Sequence, residues 1–136
     1  MSDTRIVDLL DVTYDYDRQA GILLLREAEG ARRTLAIPVA LTDAQQVWRV
    51  ARGESRPRPS THEIALDLLA RAGAQVVSAV VTRQENGVFF AEVHLMTSSG
   101  PEVSDERPSD AIALALRHVP RAPLLVAGEV LAHAGF

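Results

Sequence analysis

Between positions 105 and 110 the chain gathers Asp105, Glu106, Arg107, Ser109 and Asp110, and Pro108 stiffens the segment. Arg107 offers a planar fork suited to a phosphate, and Ser109 can add a hydroxyl beside it. Asp105 and Asp110 can hold a divalent ion or orient a water. Phosphodiester hydrolysis needs charge neutralised on the phosphate and a water activated for attack, and this residue set can supply both. The same residues have a purely structural reading. Asp110 can cap the helix that follows, and Arg107 can pair with a carboxylate such as Asp105.

A second cluster is Thr61-His62-Glu63. His62 is a candidate general acid or base near neutral pH. The competing reading makes Glu63 the partner of Ser60 in a capping box and leaves His62 exposed on a first helical turn. A third group is Arg49, Arg52, Arg56 and Arg58, with Glu54 the only acid among them. Arg56 and Arg58 are candidate substrate contacts to phosphate, in an arm that could equally be a solvated helix end. Glu92 and His94 lie two apart on a strand and would need ligands from another element to bind metal. His118 and His133 read as surface residues. No Gly-rich phosphate loop, zinc motif or nucleophile elbow is present.

These side chains depend on the elements that carry them. The run Ala111 to Leu116 is apolar on every side, so a helix there must be buried, with the charged segment at its entrance. Ala44, Val47, Trp48 and Ala51 give a one-sided stripe over 42–52, with Thr42 and Gln45 as a capping box and Gly53 as a stop. Ala65, Leu68, Leu69 and Ala72 do the same over 61–72, ended by Gly73. Strands are predicted over 6–12, 22–25, 34–39, 74–82, 88–96 and 124–126, with a further short strand after Gly100, and a last short helix over 128–134. In the fifth of these, Phe89, Ala91, Val93 and Leu95 share the core face. Val88, Phe90, Glu92, His94 and Met96 share a mixed face suited to a groove or an interface. Strands cluster ahead of helices, which favours α+β over a doubly wound parallel sheet. Gly21 and Gly87 are 66 positions apart, and Asp43 and Asp110 are 67 apart, a spacing that suggests internal duplication.

Composition narrows the chemistry. The 136 residues suit one domain, 1–136, with halves at approximately 1–72 and 73–136. There is no cysteine, which excludes disulfides, thiolate nucleophiles and cysteine-ligated zinc. Every one of the 14 basic residues is arginine, so lysine chemistry is excluded too. No apolar run is long enough for a membrane span and no secretory signal is visible, so the expected location is cytoplasmic. The net charge of −4 argues against nucleic-acid binding by bulk charge, so such a partner needs a local arginine patch. Aromatics make up 4% of the chain, which leaves Phe89, Phe90, Tyr14 and Tyr16 as the only base-stacking candidates.

The word Arg107-Pro108-Ser109-Asp110-Ala111-Ile112-Ala113-Leu114-Ala115 resembles the signature of the bifunctional nuclease family. Arg58-Pro59-Ser60-Thr61-His62-Glu63 is similar to its Arg-Pro-x-Thr-His-Asp motif, Gly87-Val88-Phe89-Phe90-Ala91 to its Gly-Thr-Phe-Tyr-Ala strand, and Val126 to Leu131 to its closing segment. The chain departs from that pattern at Val88, Phe90, Glu63 and Ala40, so two strand hydroxyls are missing and one carboxylate is longer. The resemblance implies two β3α2 repeats sharing a barrel-like mixed sheet with helices packed around it. It also implies a nuclease acting on DNA or RNA. On that basis Asp105 and Asp110 are the expected metal or water-orienting carboxylates for Mg²⁺ or Mn²⁺. Arg107 is the expected phosphate clamp, with Ser109, Arg56 and Arg58 as further substrate contacts, and His62 the proton carrier. A non-catalytic oligomeric or ligand-binding module on the same fold is the alternative. Self-association is expected in either case, with a dimer favoured.

Overall fold

The computed structural model describes residues 3–54 and 60–136. The elements run β1 (Thr4–Asp15), β2 (Ala20–Glu27), β3 (Thr34–Ala40), α1 (Leu41–Ala51), α2 (Thr61–Arg71), β4 (Gln75–Glu85), β5 (Val88–Thr97), β6 (Gly100–Glu106), α3 (Pro108–Arg117), β7 (Leu124–Ala127) and α4 (Gly128–Ala134). All seven strands join one mixed sheet in the order β3-β2-β1-β7-β4-β5-β6. Its one parallel ladder is β4 with β7. This is the expected α+β class. The expected β3α2 plan describes the first half, whereas the second half inserts β7 between α3 and α4.

The expected barrel-like closure is not realised, because β3 and β6 are free edges of an open sheet. Each carries a proline, Pro38 and Pro101, which has no N–H to give to a further strand. Phe136 occupies part of the β3 margin, exchanging backbone hydrogen bonds with Thr34 at 2.7 and 2.9 Å. The sheet still curls far enough that the ends of β3 and β5 line a common groove.

Alternation places the core as expected in β5: Phe89, Ala91 and Val93 are buried, with Leu95 packed against them. The β4–β5 hairpin turns at Asn86-Gly87, both with positive φ, a two-residue turn whose twist matches the strands. Helix α3 buries Ala111, Ile112, Ala113 and Ala115, as its all-round apolar character requires. Helix α1 buries Leu41, Ala44, Val47 and Val50, so the stripe is rotated from the expected one and leaves Trp48 and Ala51 half-buried. Gly21 in β2 lies directly under Ala44, where a side chain on the strand would overlap the helix. Helix α2 is the exception. None of its residues is fully buried and Leu68 is 60% exposed, because α2 leans on α3 and β4 without a second layer over it.

Candidate functional site

Three helix starts converge. Asp43 lies in the first turn of α1, His62 and Glu63 in that of α2, and Asp110 in that of α3. His62 Nε2 lies 3.0 Å from Asp110 Oδ1. Arg107, the residue before α3, donates from Nε to Asp110 Oδ2 at 3.0 Å and from a terminal nitrogen to Asp43 Oδ2 at 3.1 Å. Behind them Arg117 pairs with Glu63 at 3.2 Å and ties the far end of α3 to the start of α2. Local sequence explains the anchoring of α2. Ser60 accepts from the Glu63 backbone N–H, and the Glu63 carboxylate accepts from the Ser60 N–H, the expected capping box.

Asp110 does not cap α3. Its two oxygens serve His62 and Arg107, and the helix starts from Arg107 in extended conformation with Pro108 in its first turn. Arg107 pairs with Asp110 and Asp43 rather than with Asp105. The structural reading of Arg107 as the partner of a carboxylate thus holds with Asp110 and Asp43 in place of Asp105, while Asp110 joins a side-chain network instead of capping the helix. Burial alone pushes the Asp110 carboxyl up, but the hydrogen bonds from Arg107 and His62 outweigh it and hold the carboxyl below its ordinary range. Asp110 is thus a firmly ionised, weakly basic carboxylate.

Exposure separates the roles. Arg107 is 65% exposed, with one terminal nitrogen uncommitted among the described residues. His62 is only 13% exposed, its Nδ1 is fully buried with no hydrogen-bond partner among the described residues, and its Nε2 faces Asp110. The competing reading that left His62 exposed on a first turn is corrected, because its ring lies against Asp110 of α3.

Two grooves meet at Arg107. The larger, about 600 Å³, is lined by Arg83, Phe90, Asp105, Arg107 and Asp110 among others. The smaller, about 300 Å³, runs between β3 and β5, and Ser109 and Asp43 lie on its wall. Asp105 is exposed on β6, opposite Glu92 across the ladder. The structure thus brings Asp105, Arg107 and Asp110 to one groove and places buried Ser109 on the neighbouring one. His62 reaches this region only through Asp110.

Arg56 and Arg58 lie outside the described residues. Arg52 lies over the Trp48 ring at 4.5 Å and 3.9 Å from Glu54, so its charge is partly spent locally. Phe90 is half-buried beneath Arg83, whose guanidinium lies 4.1 Å from the ring centre. Glu92 and His94 pair with each other at 3.2 Å. Among the described residues no three His, Asp or Glu side chains cluster as metal ligands.

Asp43 joins the site although no motif in the sequence marks it as a site residue. It stands 67 positions before Asp110, and both lie in the first turn of a helix. Spacing alone gave no reason for the two acids to meet at one arginine.

The bifunctional nuclease domain matches residues 23–136. The chain is also similar to two uncharacterized proteins of Mycobacterium tuberculosis, from strains CDC 1551 / Oshkosh and ATCC 25618 / H37Rv. Each is 33% identical over 135 residues, which is 99% of this chain and 77% of the relative.

Proposed function

This chain belongs to the bifunctional nuclease domain family, and from that premise we propose that it hydrolyses phosphodiester bonds of DNA, RNA or both. The observation that carries the reading is Arg107, gripped from two sides by Asp43 and Asp110 while one edge of its guanidinium stays open beside a groove that also holds Asp105. A phosphate docked on that edge gains a charge-assisted contact from a donor already oriented, so little side-chain freedom is lost on binding.

Asp110, held ionised, suits the orienting of a water or an ion better than removal of a proton. Asp105, with no side-chain partner among the described residues, is the carboxylate free to accept the water's proton. His62 acts through Asp110. Mg²⁺ is ordinarily held by one or two carboxylates with waters and substrate phosphates. Asp105 and Asp110 fit that pattern for Mg²⁺ or Mn²⁺, although they do not form an all-protein cage. Such an ion would supply charge neutralisation at the phosphate. Ser109, Arg56 and Arg58 are the further proposed substrate contacts.

The test incubates the purified protein with labelled single- and double-stranded DNA and RNA, with and without each metal. Hydrolysis is expected, and it should fall by at least about a hundredfold in Arg107→Ala and Asp110→Asn. Cleavage unchanged in both variants would rule out this site.

A second reading, a non-catalytic oligomeric or ligand-binding module, draws on Ile6, Leu10, Met96 and Val103, four large apolar side chains left exposed on strands β1, β5 and β6. Sizing in solution, with a dimer expected, and a thermal-shift series with nucleotides and metals separate the two. Self-association without stabilisation by either ligand class would favour the second.

A further inference from the structure

The two grooves at Arg107 differ in chemistry. The larger presents acids and a second guanidinium, Arg83. The smaller is walled mainly by Pro38, Val39 and Ala40 from β3 and by Val88 and Phe89 from β5. Val88, Phe89, Arg107 and Pro108 border both, so they form the ridge between them. The proposed hydrolysis draws on its wall only through Asp43, which holds Arg107, and Ser109, and it gives the groove itself no occupant. Its volume of about 300 Å³ is at the low end of small-molecule sites, enough for one ring system but not for a helix or a second chain.

We infer that the groove between β3 and β5 is a subsite for one unpaired nucleobase, the base of the nucleotide whose phosphate rests on Arg107. The inference rests on the proposed phosphodiesterase reading and extends it to substrate form. The chemistry on either side of the ridge supports this occupant. A phosphate on Arg107 has a nucleoside attached to it, and that nucleoside must leave toward one groove or the other. The larger groove sets Asp105, Glu106 and Asp110 against one further guanidinium, Arg83, so acids outnumber it and disfavour the next phosphate of a strand leaving that way, whereas Asp43 is the one acid on the smaller. The smaller groove offers apolar flanks immediately beside the guanidinium, the environment that enzymes use to hold a base lifted from its stack. A base paired in a duplex cannot enter, so the subsite selects single-stranded or frayed ends.

The experiment measures binding of short labelled oligonucleotides, single-stranded and as the matching duplex, with Ca²⁺ present to slow hydrolysis. Paired probes keep every phosphate but carry either bases or abasic tetrahydrofuran sugars. The base-bearing strand is expected to bind about tenfold more tightly or better, the range found for one base held against a protein face. Ala40→Phe, which fills the groove, should bring the base-bearing strand down to the affinity of its abasic counterpart. Ala40→Ser should keep the difference, and thermal unfolding reports whether each variant folds. Arg107→Ala should weaken both probes alike. Equal affinity for the two probes in the unsubstituted protein, or a duplex bound as tightly as the single strand, overturns the subsite and leaves the hydrolase reading standing. Absence of binding to any oligonucleotide overturns both. If Ala40→Phe does not fold, the paired-probe comparison on the unsubstituted protein decides alone.

Discussion

Asp43 contributes nothing to the sequence signature of the site, yet it holds one terminal nitrogen of Arg107 while Asp110 holds Nε. A guanidinium fixed at two points has a defined direction; fixed at one, it sweeps. Asp43→Ala should therefore lower kcat/KM for nucleic-acid cleavage by roughly tenfold. The melting temperature should move little, because an ion pair with so exposed a partner contributes at most about 1 kcal/mol. Steady-state kinetics beside a thermal melt checks both halves of that expectation. Arg107→Lys should lose activity as well, since a lysine ammonium cannot reproduce the fork that meets two carboxylates. At this scale the sequence was legible wherever chemistry was compressed into a short word: Asp105, Arg107 and Asp110 do share a groove. It was not legible where the partner is remote. The residue 48 positions from Asp110 that binds it, His62, could be named from its type but not assigned its supporting place.

The elements decide whether those residues meet. The Ser60–Glu63 capping box fixes the first turn of α2, which carries His62. Ser60→Ala should cost about 1 kcal/mol in urea unfolding, with a parallel loss of cleavage as His62 loosens from Asp110. Gly21→Ala acts at the other arm. A methyl there meets Ala44, the neighbour of Asp43, so α1 must shift from β2 at a cost of roughly 1–3 kcal/mol, measurable by the same unfolding experiment. Periodicity located α1 and α2 to within a residue, because apolar spacing is a local property, whereas the all-round apolar run 111–116 marked α3 without its first turn at Pro108. It mistook the degree to which α2 is covered, since Leu68 reads as core from its spacing alone. The Thr42–Gln45 pattern likewise matches a capping box, yet α1 is preceded by Ala40 and has no side-chain cap. Burial and capping depend on what stands opposite, and that information is non-local.

For the molecule as a whole, the largest acid-sensitive contribution lies away from the site. Glu27 is 2% exposed at the end of β2 and accepts three side-chain contacts and one backbone N–H from Arg33. The hydrogen bonds from the Arg33 side chain, reinforced by its backbone N–H, outweigh burial and pull the Glu27 carboxyl from 4.5 to about 2. A carboxyl lowered on folding gives stability that is complete above its unfolded value and is lost as pH falls toward its folded one. The pair should thus contribute roughly 3 kcal/mol at neutral pH, declining from about pH 4.5 to 2. Glu27→Gln should be clearly less stable than the unsubstituted chain at pH 7, and the gap should narrow at pH 3 in denaturant melts. No alternation or spacing rule marked Glu27, since its partner is defined by a turn and not by a face.

The prolines at the two margins of the sheet bear on how copies of this protein behave when crowded. A long strand with a bare edge invites neighbours to add on and grow fibrils. Here Pro38 withholds a donor on one side and Pro101 on the other, and Phe136 already occupies part of the first margin. Stacking of sheets end on end is discouraged in both directions, so any assembly the protein forms should be finite in size.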